Sequence, residues 1–562
     1  MWRRSRDAAP ALVFLAVLLA IGGGLLIREM GFWSDDYWHA RIDPVSGART
    51  GLVMDRGFFL RPLFYRVVPA VTTLAWHQPW AAHLVLIASH AAACALLWRL
   101  VRALGLSARA AAGATVLVAA YPGTFEASMW VAALPTSLAA SLAMGAVLVL
   151  LRWRRTGAAI VLAGAMVFAA CCLNEQPAAG VMALPVLAWA AGGVGEGSIR
   201  WRRWLVATGV LGAVVLAYVL LVMLDGRAPR GARGSPESLV SIADLPRRAA
   251  YFLDVLWRRM VLRNFWRGAL AEGWRTIVGM GPVGWGALAA LLASAIWWAA
   301  WFGRDATPRG GAAAEARGGA ACRPGRLVVL GAAIFASGWV PIVLMASYEP
   351  DPRLRYWPCV GLAIVLGAAL HAVRGRRARW AAGAVVAGLA CVGAVMLVGP
   401  QRGFANRWAL DAREMAAVRA LVPDPPPYTL FIPLRVENTA LATGAPVLDR
   451  HFRSVWEFPW TGTPHVQRAY RRTDIAAIYY RHWTPRSPVR GGNERGVLLT
   501  DEVGPRYGVR ESGGWRVPWD RVVMFVVDRR GEVRVVGRVE AGDGAFDLPL
   551  ARAGVTERLD HQ

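Results

Sequence analysis

The sequence contains no lysine. All 63 basic residues are arginine, set against 37 acidic residues, for a formal net charge of +26. Arginine without lysine, in a chain rich in Ala and Gly, reads as the codon bias of a GC-rich genome. The basic clusters lack any folded reader module, which excludes nucleic acid as the partner that so high a charge would otherwise suggest. Charged residues of both signs make up only 18% of the 562 positions. That is too few for a soluble chain of several domains. Cysteine is sparse as well. Cys94, Cys171, Cys172, Cys359 and Cys391 fall inside apolar runs and Cys322 in a basic loop. None follows residue 400, so the tail has no disulfide framework. No internal repeat is visible, which excludes a solenoid. No small-residue cleavage site follows the first apolar run, so that run is expected to be an uncleaved span rather than a removed signal.

What is present is apolar length. Hydrophobic residues make up 56% of the chain, with a mean hydropathy of +0.38 and 27 Trp. About eleven runs suit a bilayer of roughly 30 Å: 11–29, 81–103, 108–121, 127–152, 156–173, 176–193, 204–224, 276–302, 327–347, 356–373 and 381–399. Arg-rich connections such as "RWRRTG", "IRWRRW" and "RGRRARW" alternate with acidic ones such as "YPGTFEAS" and "NEQP". The positive-inside rule then puts the amino terminus in the cytoplasm and the acidic connections outside. The Arg-rich loop 225–275 falls outside on this count, as a long loop that obeys the rule weakly. After residue 400 the pattern changes. "LDAREMAAVRAL" reads as an amphipathic helix. "YTLFIPL", "RVVMFVVD" and "GEVRVVGRV" read as strands, the last two joined as a hairpin. The expectation is an α-helical polytopic membrane protein. Residues 1–400 would form a transmembrane domain and 401–562 a small extracytoplasmic α+β domain.

The residues most costly to hold near lipid collect on the expected outer side. In "GFWSDDYWHA", Asp35 and Asp36 follow the first span among Trp33, Tyr37 and Trp38. Two adjacent carboxylates resist joint ionisation, so one could serve as a general base. Alternatively the pair could ligate a divalent cation, Mg or Mn, through oxygen. The plainer reading is a solvated loop beside belt aromatics. "FFLRPLFYRVVPAV" puts Arg61 near headgroup level, suited to a phosphate or simply snorkelling. His83 and His90 lie on one face of the second span, two turns and about 10 Å apart, too far for one metal ion. Glu126 sits in an outer turn, and Glu175 in a tight hairpin. "SYEPDPRLRYWP" brings Arg353, Arg355 and Tyr356 to the mouth of a span, where a guanidinium fork can hold phosphate.

Taken in order, these pieces resemble a family. The Asp pair, "RPL", the His-containing span, "YP..FEASMW", the Glu175 hairpin and "PRLRYWP" are similar to the GT-C membrane glycosyltransferases. Within them the chain looks most like bacterial relatives of the tetratricopeptide-repeat-containing transmembrane O-mannosyltransferases, without the repeats. The similarity spans residues 30–370 as spaced short motifs. The chain departs from the pattern at Asn174, at Ala133–Thr136 and at Pro352. The resemblance implies a GT-C-like fold in a bacterial inner membrane, a polyprenyl-phosphate-linked sugar donor and an extracytoplasmic acceptor. It implies Asp35 or Asp36 as the base, and Arg61, His83, His90, Glu126, Glu175, Arg353 and Tyr356 around the substrates. It favours Arg353 over Arg355 for the inward position. The alternative is a non-catalytic or transport protein for lipid-linked glycans, a flippase or polymerase partner, which would place charges at the membrane midplane within inverted repeats.

Overall fold

A computed structural model describes residues 8–32, 61–75, 78–152, 156–174, 176, 180, 183, 186–187, 197–224, 243–256, 264–304, 324–344, 355–436, 456, 462–472, 474–478, 489–493, 495–499, 509–511, 514–528, 532–541, 544–550 and 555–559. Asp35, Asp36, Glu175 and Arg353 lie outside the described residues, as does most of the expected span 176–193. The chain divides into two compact units. One comprises Met1–Ile27, Val53–Val68 and Ala81–Gln401; the other comprises Arg28–Leu52, Pro69–Trp80 and Arg402–Gln562.

The first unit is helical. In chain order its helices are α1 (Ala9–Gly24), α2 (Phe64–Leu74, shared with the second unit), α3 (Pro79–Ala103), α4 (Ala108–Ala119), α5 (Leu134–Arg152), α6 (Thr156–Leu173), α7 (Gly197–Leu224), α8 (Leu245–Leu256), α9 (Asn264–Gly279), α10 (Pro282–Gly303), α11 (Pro324–Leu344), α12 (Tyr356–Ala372) and the first part of α13 (Arg376–Leu421). Among the described residues five apolar helices are long enough to cross a membrane: Pro79–Ala103, Val131–Leu151, Trp204–Leu221, Pro282–Gly303 and the Arg376–Leu421 helix. Shorter apolar helices lie at Ala9–Gly24, Ala108–Ala119, Gly157–Leu173, Pro324–Val340 and Tyr356–Ala372.

Their surfaces have the polarity of a membrane protein. Leu292 and Ile296 on α10, Leu216 and Leu221 on α7, and Val385 and Leu389 on α13 are exposed. The buried contacts use small residues. A Cβ on Gly331 of α11 would stand 2.6 Å from the Gly361 carbonyl of α12, so these two helices touch backbone to backbone. Lipid offers side chains no less apolar an environment than the bundle does, so helices associate through close packing of this kind. A second core gathers Phe14, Trp298, Trp301 and Phe302, with ring centroids of successive neighbours 5.3–5.6 Å apart between Phe14–Trp298, Trp298–Trp301 and Trp298–Phe302.

Three expected runs are drawn differently. The run 127–152 opens as a short helix, Phe125–Met129, and a 3₁₀ turn, Val131–Ala133, before α5 begins. The run 276–302 is divided between α9 and α10 by Gly281, at φ +59°, a backbone angle that only glycine adopts at little cost. The last apolar run and the amphipathic tail segment are one helix, α13. Each difference arises where a local break or continuity does not change the average apolarity of the window.

In the second unit a mixed sheet has the order β10-β8-β7-β1-β2, with β9 on β8. The strands are β1 (Leu430–Val436), β2 (Ala476–Ala477), β7 (Val522–Val527), β8 (Val533–Ala541), β9 (Gly544–Asp547) and β10 (Val555–Leu559). β7 and β8 pair antiparallel in the register Phe525↔Val535, whereas β1 runs parallel to both β2 and β7. Every residue of β7 is buried, as a central strand covered on both faces requires. On one face Phe431 meets Tyr470 of helix α14 (Gly462–Tyr470), and Phe525 meets Trp456 at 5.1 Å. A smaller antiparallel sheet has the order β3-β4-β6-β5: β3 (Val489–Asn493), β4 (Gly496–Leu499), β5 (Val509–Glu511) and β6 (Gly514–Val517).

The same unit contains a buried ionic group on α13. Arg407 Nε donates to Asp411 at 2.7 Å and its Nη2 to Glu414 at 2.9 Å, all three side chains being inaccessible. His465 of α14 hydrogen-bonds the Asp411 carbonyl at 3.3 Å. Its imidazole is held down at about 3, first by burial and then by the Arg468 charge, against the hydrogen bond to Asp411.

Candidate functional site

Within the first unit, antiparallel succession brings the end of α4, the start of α5, the end of α6 and the start of α12 together with the middle of the longer α3. Many of the buried polar side chains of the unit lie on these segments. His90 and Tyr356, 266 positions apart in sequence, meet with Nδ1 and the phenol oxygen 2.7 Å apart. Their rings sit edge to face at 5.5 Å. Nε2 of the same ring lies 4.0 Å from Cys94 Sγ, one turn further along α3. The His90–Tyr356 bond thus ties α3 to α12.

The neighbouring turn repeats the theme. Ser137 donates to the Leu134 carbonyl at 3.0 Å, which leaves Ser89 to donate to Ser137 across 2.7 Å. Asn174, just past α6, donates from Nδ2 to Thr136 Oγ1 at 3.2 Å and accepts from the Gln176 amide at 3.0 Å. Gln176 in turn donates to the Gly338 carbonyl of α11 at 3.0 Å. The segment after Arg61 is held at the same place, because the Leu63 amide donates to the Cys172 carbonyl at 3.1 Å. Leu63 and Asn174 are therefore both held at the end of α6.

Arg355 is the residue that the sequence reading places second to Arg353. It caps α12 with helical backbone angles and is only 5% exposed. Tyr121 and Cys359 lie within electrostatic range of its charge. Tyr121 in turn packs on Trp266, with ring centroids 6.0 Å apart. A buried guanidinium at the mouth of an apolar helix is costly to hold there. Glu126 is buried in the short helix Phe125–Met129, and His83 is buried on α3, two turns before His90. Of the nine residues singled out from sequence, the structure joins His90 to Tyr356 and describes Arg61, His83 and Glu126. Asp35, Asp36, Glu175 and Arg353 are outside the described residues. Ser89, Thr136, Ser137 and Gln176 escape a reading of the sequence because lone small polar residues in apolar runs are commonplace. Among the described residues no group of three or more His, Cys, Asp or Glu is placed to hold a metal ion.

No family model matches the chain, and no curated protein matches it. Solved structures of ArnT from Cupriavidus metallidurans are similar to it. The form bound to undecaprenyl phosphate shares 17% identity over 80% of this chain and 85% of its own, with a TM-score of 0.39. The apo form shares 16% over 79% and 84%, with a TM-score of 0.36.

Proposed function

We propose that this protein is an integral-membrane glycosyltransferase of the GT-C kind, moving a sugar from a polyprenyl-phosphate carrier to a hydroxyl on an extracytoplasmic protein, lipid or glycan. The observation that carries this reading is the buried polar group of His90, Tyr356 and Arg355 within a largely apolar helical unit. A guanidinium there suits a lipid phosphate, and the apolar surfaces around it suit the lipid's chain.

In the proposed reaction Asp35 or Asp36 takes the proton of the acceptor hydroxyl while its oxygen attacks the anomeric carbon. The bond from that carbon to the phosphate oxygen breaks, and the electron pair leaves with the polyprenyl phosphate. Arg355, together with Arg61 and Arg353, neutralises the phosphate as its charge develops. Tyr356, fixed by His90, sets the orientation of the first turn of α12 and so of Arg355. Glu126, Glu175 and His83 line the substrate side in this reading. A divalent cation, if one takes part, would be held by Asp35 and Asp36.

A transporter would hold its charges at the midplane of repeated, broken helices. The ends of α4, α5, α6 and α12, where many of the buried polar side chains lie, favour transfer instead. Mass spectrometry of cell-envelope glycans, lipids and proteins from a deletion strain tests the proposal. Transfer predicts loss of one sugar from one acceptor class, restored by the wild-type gene and not by an Asp35→Asn, Asp36→Asn version. An envelope unchanged in every fraction would contradict it.

A further inference from the structure

Helix α9 is built the reverse of a helix in a soluble protein. Its inward face is small: Ala269 and Gly273 are buried against α13, and a Cβ on Gly399 would stand 2.6 Å from the Ala269 carbonyl. Its outward stripe holds Arg267, Leu270, Trp274 and Arg275, at the spacing that shares one helix face. Leu270 and Trp274 are exposed there, Trp274 at 49%. Across the Gly281 turn, Val283 and Trp285 at the start of α10 are exposed too, Trp285 at 54%. The indoles of Trp274 and Trp285 meet edge to face at 6.5 Å. Arg275 is paired with Glu272 at 2.8 Å, its side chain 56% exposed. Arg267 makes no ion pair among the described residues.

We propose that this face is a binding surface for anionic phospholipid at the point where α10 enters the bilayer. Four large apolar side chains facing outward, continuous with a helix long enough to cross a membrane, require lipid rather than water as their neighbour. Tryptophan prefers the headgroup level, where its ring is apolar and its N–H is wet. That fixes the depth of Arg267 at the phosphates. The one acidic side chain of α9, Glu272, is buried and offsets Arg275, so the charge left to the stripe is that of Arg267 and is positive. The matching lipid therefore carries net negative charge.

The test uses the full-length protein in nanodiscs of equal phosphatidylglycerol and phosphatidylcholine, with retained lipids counted by native mass spectrometry after transfer to detergent. The wild-type protein retains phosphatidylglycerol in several-fold excess. Arg267→Gln lowers that excess by about fivefold, the worth of one arginine at an anionic surface; Arg267→Lys keeps it. Trp274→Ala reduces retention of both lipids alike. Arg267 is exposed, so Arg267→Gln is expected to fold normally, checked by an unchanged melting temperature. Equal retention of the two lipids by the wild type, or an unchanged excess in Arg267→Gln, would overturn the proposal.

Discussion

Nδ1 of His90 and the hydroxyl of Tyr356 are hydrogen-bonded across 2.7 Å, deep in a helical unit and 266 residues apart in sequence. This bond fixes the first turn of α12 against α3. Tyr356→Phe and His90→Phe are expected to be coupled rather than additive. A double-mutant cycle on thermal unfolding in detergent should give roughly 0.5–2 kcal/mol of interaction, the range for hydrogen bonds between membrane helices. Additivity within error would remove His90 as the support of Tyr356.

The crossing of α11 and α12 depends on two glycines. A Cβ on Gly361 would collide with the Gly331 carbonyl oxygen and the Phe335 backbone, whereas one on Gly388 of α13 meets nothing within 4 Å. Gly361→Ala should lower the melting temperature and the yield of folded protein markedly, and Gly388→Ala should leave both unchanged. The two variants differ by the same single methyl group, so helix propensity cannot account for a difference. Equal melting temperatures would show that the helices can part without loss.

His465 gives the second unit a pH dependence of defined sign. Its folded value of about 3 lies below the 6.5 of the unfolded chain. Between these values the unfolded chain binds the extra proton, so stability is full above pH 6.5 and is lost as pH falls toward 3. The charged groups around it, Arg468 and Arg407, act in the same direction. Full-length wild type should lose more melting temperature between pH 7.5 and pH 5 than His465→Asn does. Parallel losses in the two proteins would mean that His465 is accessible to protons when folded.

Arg407 supports two buried carboxylates, Asp411 and Glu414. Arg407→Met strands them, and removing one partner from a buried ionic group costs about 3–5 kcal/mol. Replacing all three by apolar residues of similar size should restore most of that loss. Chemical denaturation of the single and triple variants distinguishes the two effects; a single variant as stable as wild type would show the group to be solvated.

The helices are legible in the sequence because repeated apolar runs of bilayer length are longer than a soluble core can bury and too costly to leave in water. Their breaks are less so: Gly281 and the short turns before α5 do not alter a windowed average. At the site, His90 and Tyr356 each stand out as polar residues in apolar surroundings. Their pairing does not, because nothing local encodes a contact across 266 positions. Arg355 caps α12 and is buried, which its place in a charged run does not announce. Ser89 and Ser137 carry no local signal at all, since a lone serine in an apolar helix commonly bonds its own backbone. Only the packing of α3 on α5 reveals the contact between them.

The central claim is transfer of a sugar from a lipid phosphate, with Arg355 at the phosphate. The most direct measurement supplies purified full-length protein in nanodiscs with polyprenyl-phosphate-linked sugars and envelope acceptors, and follows the release of free polyprenyl phosphate by mass spectrometry. The wild type should release it in step with glycosylation of an acceptor. Arg355→Lys, which keeps the charge but loses the planar fork, should raise the donor KM at least tenfold, and Asp35→Asn combined with Asp36→Asn should abolish release. Polyprenyl phosphate released at the same rate by the wild type and by all these variants, or by none of them, would contradict the account.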